Sequence, residues 1–176
     1  MTDTDARKAI FITGGAGGMG LATGKLFSDR GWLVGLYDID EATLTAAAAD
    51  LDPDRTVLRR VDVTDEADFE AAMGEFGERS GGRLDVMFNN AGIAPGAWFD
   101  EMPMDTIRSI IDINVFGVII GTRAALPLLK ATPGSINVST SSSVARLPSG
   151  PAASSKSESP SSSLSRSYTS VPRATS

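Results

Sequence analysis

The 176-residue chain contains neither cysteine nor histidine. Without cysteine there is no disulfide, no thiolate metal site and no thiol nucleophile. Without histidine the commonest general base and metal ligand is gone, and a Ser-His-Asp triad is excluded. Aromatic residues make up only 6%, and the two tyrosines are Tyr37 and Tyr168. Positive charge is in deficit as well. Sixteen Lys and Arg against 22 Asp and Glu give a net charge of −6, and no basic cluster offsets it. That balance argues against a nucleic-acid surface. No apolar run approaches the roughly 20 residues of a membrane span. The start, MTDTDARK, is polar and acidic, unlike a secretion signal. A cytoplasmic protein with no nucleic-acid, membrane or metal partner is expected.

What is present suits one globular domain with a sizeable core: 41% hydrophobic and 22% charged residues. Apolar runs of strand length alternate with longer helix-compatible segments, the pattern of a parallel sheet with crossover helices. Strands are predicted at Ala9–Thr13, Leu33–Asp38, Thr56–Val61, Leu84–Asn89 and Ser135–Ser139. Helices are predicted at Met19–Asp29, Glu41–Leu51 and Glu66–Arg79, with one or two more over Met104–Ala131. Asp40 is placed to cap the second helix, and Asp65 or Thr64 the third. Gly31, Gly81 and Gly82 fall where helices should end. Pro127 predicts a kink or a stop inside the last helical stretch. From 149 to 176 the composition changes, with 12 serines in 28 residues. A segment so poor in apolar side chains cannot offset its ordering entropy, so a disordered tail is expected after a domain of residues 1–148.

The most informative stretch is KAIFITGGAGGMG, from Lys8 to Gly20. A buried strand runs into glycines and reopens as a helix. The first N–H groups of such a helix have no intrahelical partner, and its dipole places partial positive charge there, so the turn is a seat for a phosphate. Eighteen residues after Gly20, Asp38 closes the next apolar run. A carboxylate at that distance suits the ribose hydroxyls of a dinucleotide. Its other reading is a helix N-cap, although Asp40 fits that job better.

TGGAGGMG (Thr13–Gly20) resembles the TGxxxGxG motif of the short-chain dehydrogenase/reductases. The resemblance continues through Asp62-Val63, NNAG at Asn89–Gly92, Asn114 within INVFG, and INVS at Ile136–Ser139, in family order over about residues 7–150. It implies an α/β, Rossmann-like doubly wound parallel sheet, here incomplete at its C-terminal edge, with a nicotinamide dinucleotide cofactor. It also implies hydride transfer with a small alcohol or ketone, and a homo-oligomer. Gly14, Gly18, Met19 and Gly20 would shape the pyrophosphate turn, and Asp38 would hold the adenosine ribose. The Asp38 charge would repel a 2′-phosphate, and Arg30 is the nearest earlier cation, so NAD is favoured over NADP. Asp62 and Val63 would meet the adenine, unless Asp62 serves only a strand-end turn. Asn90, Ala91 and Gly92 would leave room for the cofactor. Asn114 resembles the asparagine that positions a proton-relay water, and Thr140 or Ser141 falls at the substrate-orienting hydroxyl. A solvent-facing amide and a polar loop remain the plainer readings of these last two.

At its catalytic centre the sequence departs from that family. Neither tyrosine has a lysine four residues later. Over GPAASSKSES (Gly150–Ser159), Lys156 matches the family lysine, but Ala152 then stands where the phenol belongs. The phenol-to-substrate proton transfer is therefore unsupported. The serine-rich tail reads as a degenerate or frame-shifted continuation. The alternative to an active oxidoreductase is a catalytically inactive nucleotide-binding protein, or a truncated product lacking the catalytic tyrosine and the substrate loop.

Overall fold

The structure is a computed structural model that describes residues 7–96 and 98–140. Ser141, Lys156 and the predicted tail lie outside the described residues.

Five parallel strands form one sheet: β1 (Ala9–Thr13), β2 (Leu33–Asp38), β3 (Thr56–Arg60), β4 (Val86–Asn89) and β5 (Ile136–Ser139), in the spatial order β3-β2-β1-β4-β5. The register aligns Thr13 with Tyr37 and Ile12 with Phe88. Helices α1 (Gly18–Asp29), α2 (Glu41–Ala47), α3 (Glu66–Arg79), α4 (Met104–Ile111) and α5 (Gly117–Ala131) connect them. Strand order reverses at β1, whose two neighbours are reached by crossovers on opposite sides. That reversal opens a crevice at the C-terminal strand ends.

The core lies on both faces of the sheet. β1 is central and every residue of AIFIT is buried. Its alternation sends Phe11 to one face, where it meets Tyr37, Phe69 and Phe76. Ile10 and Ile12 go to the other, with Val34, Leu36 and Leu44. Each such side chain contributes about 1.5–3 kcal/mol by leaving water, before any discount for compactness of the unfolded chain.

Asp40 accepts from the Thr43 N–H and caps α2; Asp65 accepts from the Asp68 N–H and caps α3, so Asp65 and not Thr64 holds that position. The α2 prediction overran: the helix stops at Ala47, and the chain turns through Asp50 and Asp52 toward Pro53. No basic side chain sits in its last turn, and acidic residues crowd the negative end of its dipole.

Met104–Ala131 is one continuous helical stretch in which a wide π turn, Asp112–Phe116, joins α4 to α5. It does not stop at Pro127. Proline removes one intrahelical bond, but packing overrides that loss: Gly117, Gly121 and Ala125 bury their face against the sheet side and α3. By length and composition this 28-residue stretch is apolar enough to cross a membrane, which the sequence reading did not foresee. In the fold α5 forms a layer against β4 and α3.

Candidate nucleotide site

The loop after β1 is built on close backbone approaches. Gly14 takes φ +64°, and a Cβ there would stand 2.9 Å from Ala91 Cα. A Cβ on Gly20 would collide with the Gly14 carbonyl oxygen. Any side chain at either position would push the loop away from β4. Gly18 also takes positive φ, +52°, in open space. Helix α1 begins after Gly17, which offers no side-chain cap, and no acidic residue lies in the first turn. The positive end of α1 is therefore bare and faces the loop.

Two polar side chains pin this loop to β4. Thr13 Oγ1 accepts from the N–H groups of Asn90 and Ala91, both at 3.0 Å. Asn90 Nδ2 donates to the carbonyls of Thr13 (3.0 Å) and Gly14 (3.1 Å). Thr140 joins the same network, its hydroxyl donating to Asn90 Oδ1 at 3.2 Å.

Asp38 closes β2 with its carboxylate held from both sides. Oδ2 accepts from the Ala16 N–H at 3.0 Å, and Oδ1 from the Asp40 N–H at 3.2 Å. It is no helix cap, since Asp40 fills that role. Asp62 accepts from both the hydroxyl (2.7 Å) and the N–H (2.9 Å) of Thr64. Those hydrogen bonds hold its carboxyl below the usual carboxylate range. The turn reading of Asp62 thus describes its present contacts, and it lines the cleft as well.

Asn114 is buried in the π turn, not solvent-facing. Its Oδ1 accepts from the Ile93 N–H and its Nδ2 donates to the Ile93 carbonyl, both at 2.9 Å. One amide thereby satisfies both backbone groups of a residue in the segment after β4. The π turn gives the reason: a local widening of the helix aims this side chain at the neighbouring loop.

These parts surround a cleft of about 180 Å³ lined by Gly14, Asp38, Asp62, Val63, Ala91 and Gly92, with Ile39, Val61, Ile93 and Ile113 as its apolar wall. Six sequence-predicted residues therefore share one cavity wall. Gly18, Met19 and Gly20 begin α1 at the loop, and Asn90 braces that loop from behind. Sequence reasoning missed Thr13 and the four isoleucine and valine wall residues. Each adjoins a predicted site residue in the chain or across the sheet, but only the fold turns it inward. Tyr37 is far from suited to proton transfer: its hydroxyl is buried and has no hydrogen-bond partner among the described residues. The cavity sets the carboxylates of Asp38 and Asp62 against an apolar wall, and the glycine loop leads from Gly14 into the uncapped start of α1. That combination fits a dinucleotide.

Comparisons with known proteins agree. A family model described as short chain dehydrogenase matches residues 8–157. Momilactone A synthase of Oryza sativa subsp. japonica is 38% identical over 145 residues, covering 78% of this chain and 52% of that protein. Meso-2,3-butanediol dehydrogenase of Serratia marcescens is 36% identical over 129 residues, 73% of this chain and 51% of that protein. Among solved structures, a 3-ketoacyl-(acyl-carrier-protein) reductase from Brucella melitensis complexed with NADH superposes with a TM-score of 0.65 at 28% identity, covering 71% of this chain and 51% of that one. The chain spans about half the length of the curated relatives it matches.

Proposed function

The chain belongs to the short-chain dehydrogenase family, an oxidoreductase family, and from that premise we propose that it binds NAD in the crevice between β1 and β4 and serves hydride transfer with a small alcohol or ketone. The observation that carries the reading is that Gly14, Asp38 and Asp62 line one cleft, with the glycine loop running from Gly14 into the N-terminus of α1. The N–H groups opening α1 bind the pyrophosphate. Asp38 accepts from the adenosine ribose hydroxyls, and its fixed charge disfavours a 2′-phosphate. Asp62 and Val63 flank the adenine. Bound there, the nicotinamide supplies or accepts the hydride. Asn114 keeps the segment at Ile93 in place beside the cleft. Thr140, tied to Asn90, is the described hydroxyl nearest to a substrate-orienting role. The same family groups many substrates, and the butanediol relative supports a small secondary alcohol or ketone as the class.

A second reading, nucleotide binding without turnover, is favoured by one specific observation. Tyr37 is the only tyrosine among the described residues, and it is sealed in the core. In sequence, Ala152 stands four residues before Lys156.

The test is a titration with NADH followed by nicotinamide fluorescence, with circular dichroism on the same samples. Saturable binding by folded protein is expected, and Asp38→Ala should weaken it about tenfold or more, as loss of a charged hydrogen-bond acceptor does. Folded protein that binds no NADH would overturn the cofactor assignment. Binding with no oxidation of any alcohol panel would favour the second reading.

A further inference from the structure

Cofactor selectivity looks, in the chain, like the business of Asp38 alone, since Arg30 is the nearest preceding cation and it closes α1 at the end away from the glycine loop. Strand pairing changes the census. Asp38 and Arg60 are register partners across β2 and β3. In a parallel pair such partners point to the same face, with strands roughly 4.8 Å apart. An arginine side chain easily spans that gap.

The two arginines at the end of β3 have different fates. Arg59 points to the α3 face and is consumed there, at 2.8 Å from Asp68 and 3.1 Å from Glu75. Arg60 is exposed on the Asp38 face and forms no ion pair among the described residues. It nevertheless lies close enough to Asp62, a wall residue of the cleft, to help hold that carboxyl down. Asp38, by contrast, is fixed by the N–H groups of Ala16 and Asp40 and cannot swing aside. At the C-terminal ends of β2 and β3, then, a tethered anion and an untethered cation are register partners.

We propose that Arg60 is a second determinant of cofactor selectivity: it receives the 2′-phosphate of an NADP-type cofactor and offsets part of the discrimination that Asp38 imposes. The inference rests on the cofactor reading above and deepens it. Two carboxylates, Asp38 and Asp62, still outweigh one guanidinium against a dianion, so NAD remains preferred. The margin is narrower than Asp38 alone would set, and it depends on salt because Arg60 is exposed.

The experiment is a fluorescence titration of the whole chain with NADH and with NADPH, for wild type, Arg60→Gln, Arg60→Lys and, as a control cation, Arg30→Gln. Arg60→Gln should leave NADH affinity within about twofold and weaken NADPH about fivefold, the size of a partly exposed ion pair. Arg60→Lys should recover most of the NADPH affinity, and Arg30→Gln should change neither. The pair is repeated in an Asp38→Asn background, where NADPH binding moves into an easily titrated range and the Arg60→Gln loss should recur. Equal effects on both cofactors, or no effect on NADPH in either background, overturn the role of Arg60 while leaving NAD binding intact. Failure of the folded wild type to bind NADH overturns the cofactor reading itself, and Arg60 with it.

Discussion

Tyr37 carries its hydroxyl into the core with no hydrogen-bond partner among the described residues. Its ring stacks on Phe11 at 3.8 Å between centroids, which gives the apolar body a good site and the polar tip none. Burial pushes the phenol far above its ordinary range; the Glu75 charge adds to the effect and Arg59 opposes it. In the unfolded chain the phenol ionises near pH 10, whereas in the fold it keeps its proton. The unfolded state then binds fewer protons, so this residue's contribution is intact below about pH 10 and declines as pH rises beyond it. Tyr37→Phe should leave stability at pH 7 unchanged or raise it by about 1 kcal/mol, and should shallow the alkaline loss. Urea midpoints at neutral and alkaline pH measure both effects. A clear destabilisation at pH 7 would mean that the hydroxyl has a partner in solution. The same burial keeps the phenol away from solvent.

At the scale of elements, β4 is held to β1 by a polar clamp that strand propensity does not reveal. Asp85, which precedes β4, accepts from the Ala9 N–H at 2.9 Å and pairs with Arg83 through Nε and an Nη at 2.8 and 2.7 Å. Burial pushes its carboxyl up, but the Arg83 bonds and the Ala9 N–H outweigh that and leave it below the usual range. A lowered carboxyl contributes stability above the unfolded pKa near 4, and the contribution fades as pH falls through the folded value. Asp85→Asn should therefore cost about 2 kcal/mol at pH 7, since it leaves Arg83 without its carboxylate, and should flatten the acid limb of the stability profile. Equilibrium urea unfolding at pH 7 and pH 3.5 checks both; an unchanged acid limb would shift the effect to the other lowered carboxyls, Asp40, Asp52 and Asp62. In the sequence, Asp85 looks like one more residue of the predicted Leu84–Asn89 strand. The structure starts that strand at Val86, although the Asp85 backbone already bonds both neighbours, its N–H donating to the Ala9 carbonyl and its carbonyl accepting from the Ile136 N–H.

For the molecule as a whole, the apolar surface is unevenly covered. Ile111, Val115, Phe116 and Ile119 are exposed along α4, the π turn and α5. On β5, the outermost described strand, Ile136 and Val138 are 54% and 37% exposed. An apolar edge strand and an uncovered helix face favour self-association. Val138→Lys should leave the fold intact and lower the sedimentation-derived fraction of associated species at a given concentration. If association is unchanged, the helix face and not the strand edge drives it. The sheet expected to be incomplete at its C-terminal edge anticipates this exposure, and the structure locates it at Ile136 and Val138.

The sequence by itself determined the alternation of strands and helices, the glycine turn and the acid, Asp38, that closes β2. These are local properties: a run of apolar residues, a glycine that must take positive φ, an acid at a fixed distance along the chain. It also exposed the mismatch at Ala152 and Lys156, which is a matter of residue type alone. Tertiary structure decided everything that depends on which strands are neighbours. It set a π turn in the long helix, from which Asn114 bonds the Ile93 backbone, carried α5 through Pro127, and sealed Tyr37 against Phe11. It turned Arg59 inward to Asp68 and Glu75 while leaving Arg60 beside Asp38. No chain-local signal separates those two adjacent arginines. The two-residue period of a strand sends them to opposite faces, and only the packed sheet gives those faces different neighbours.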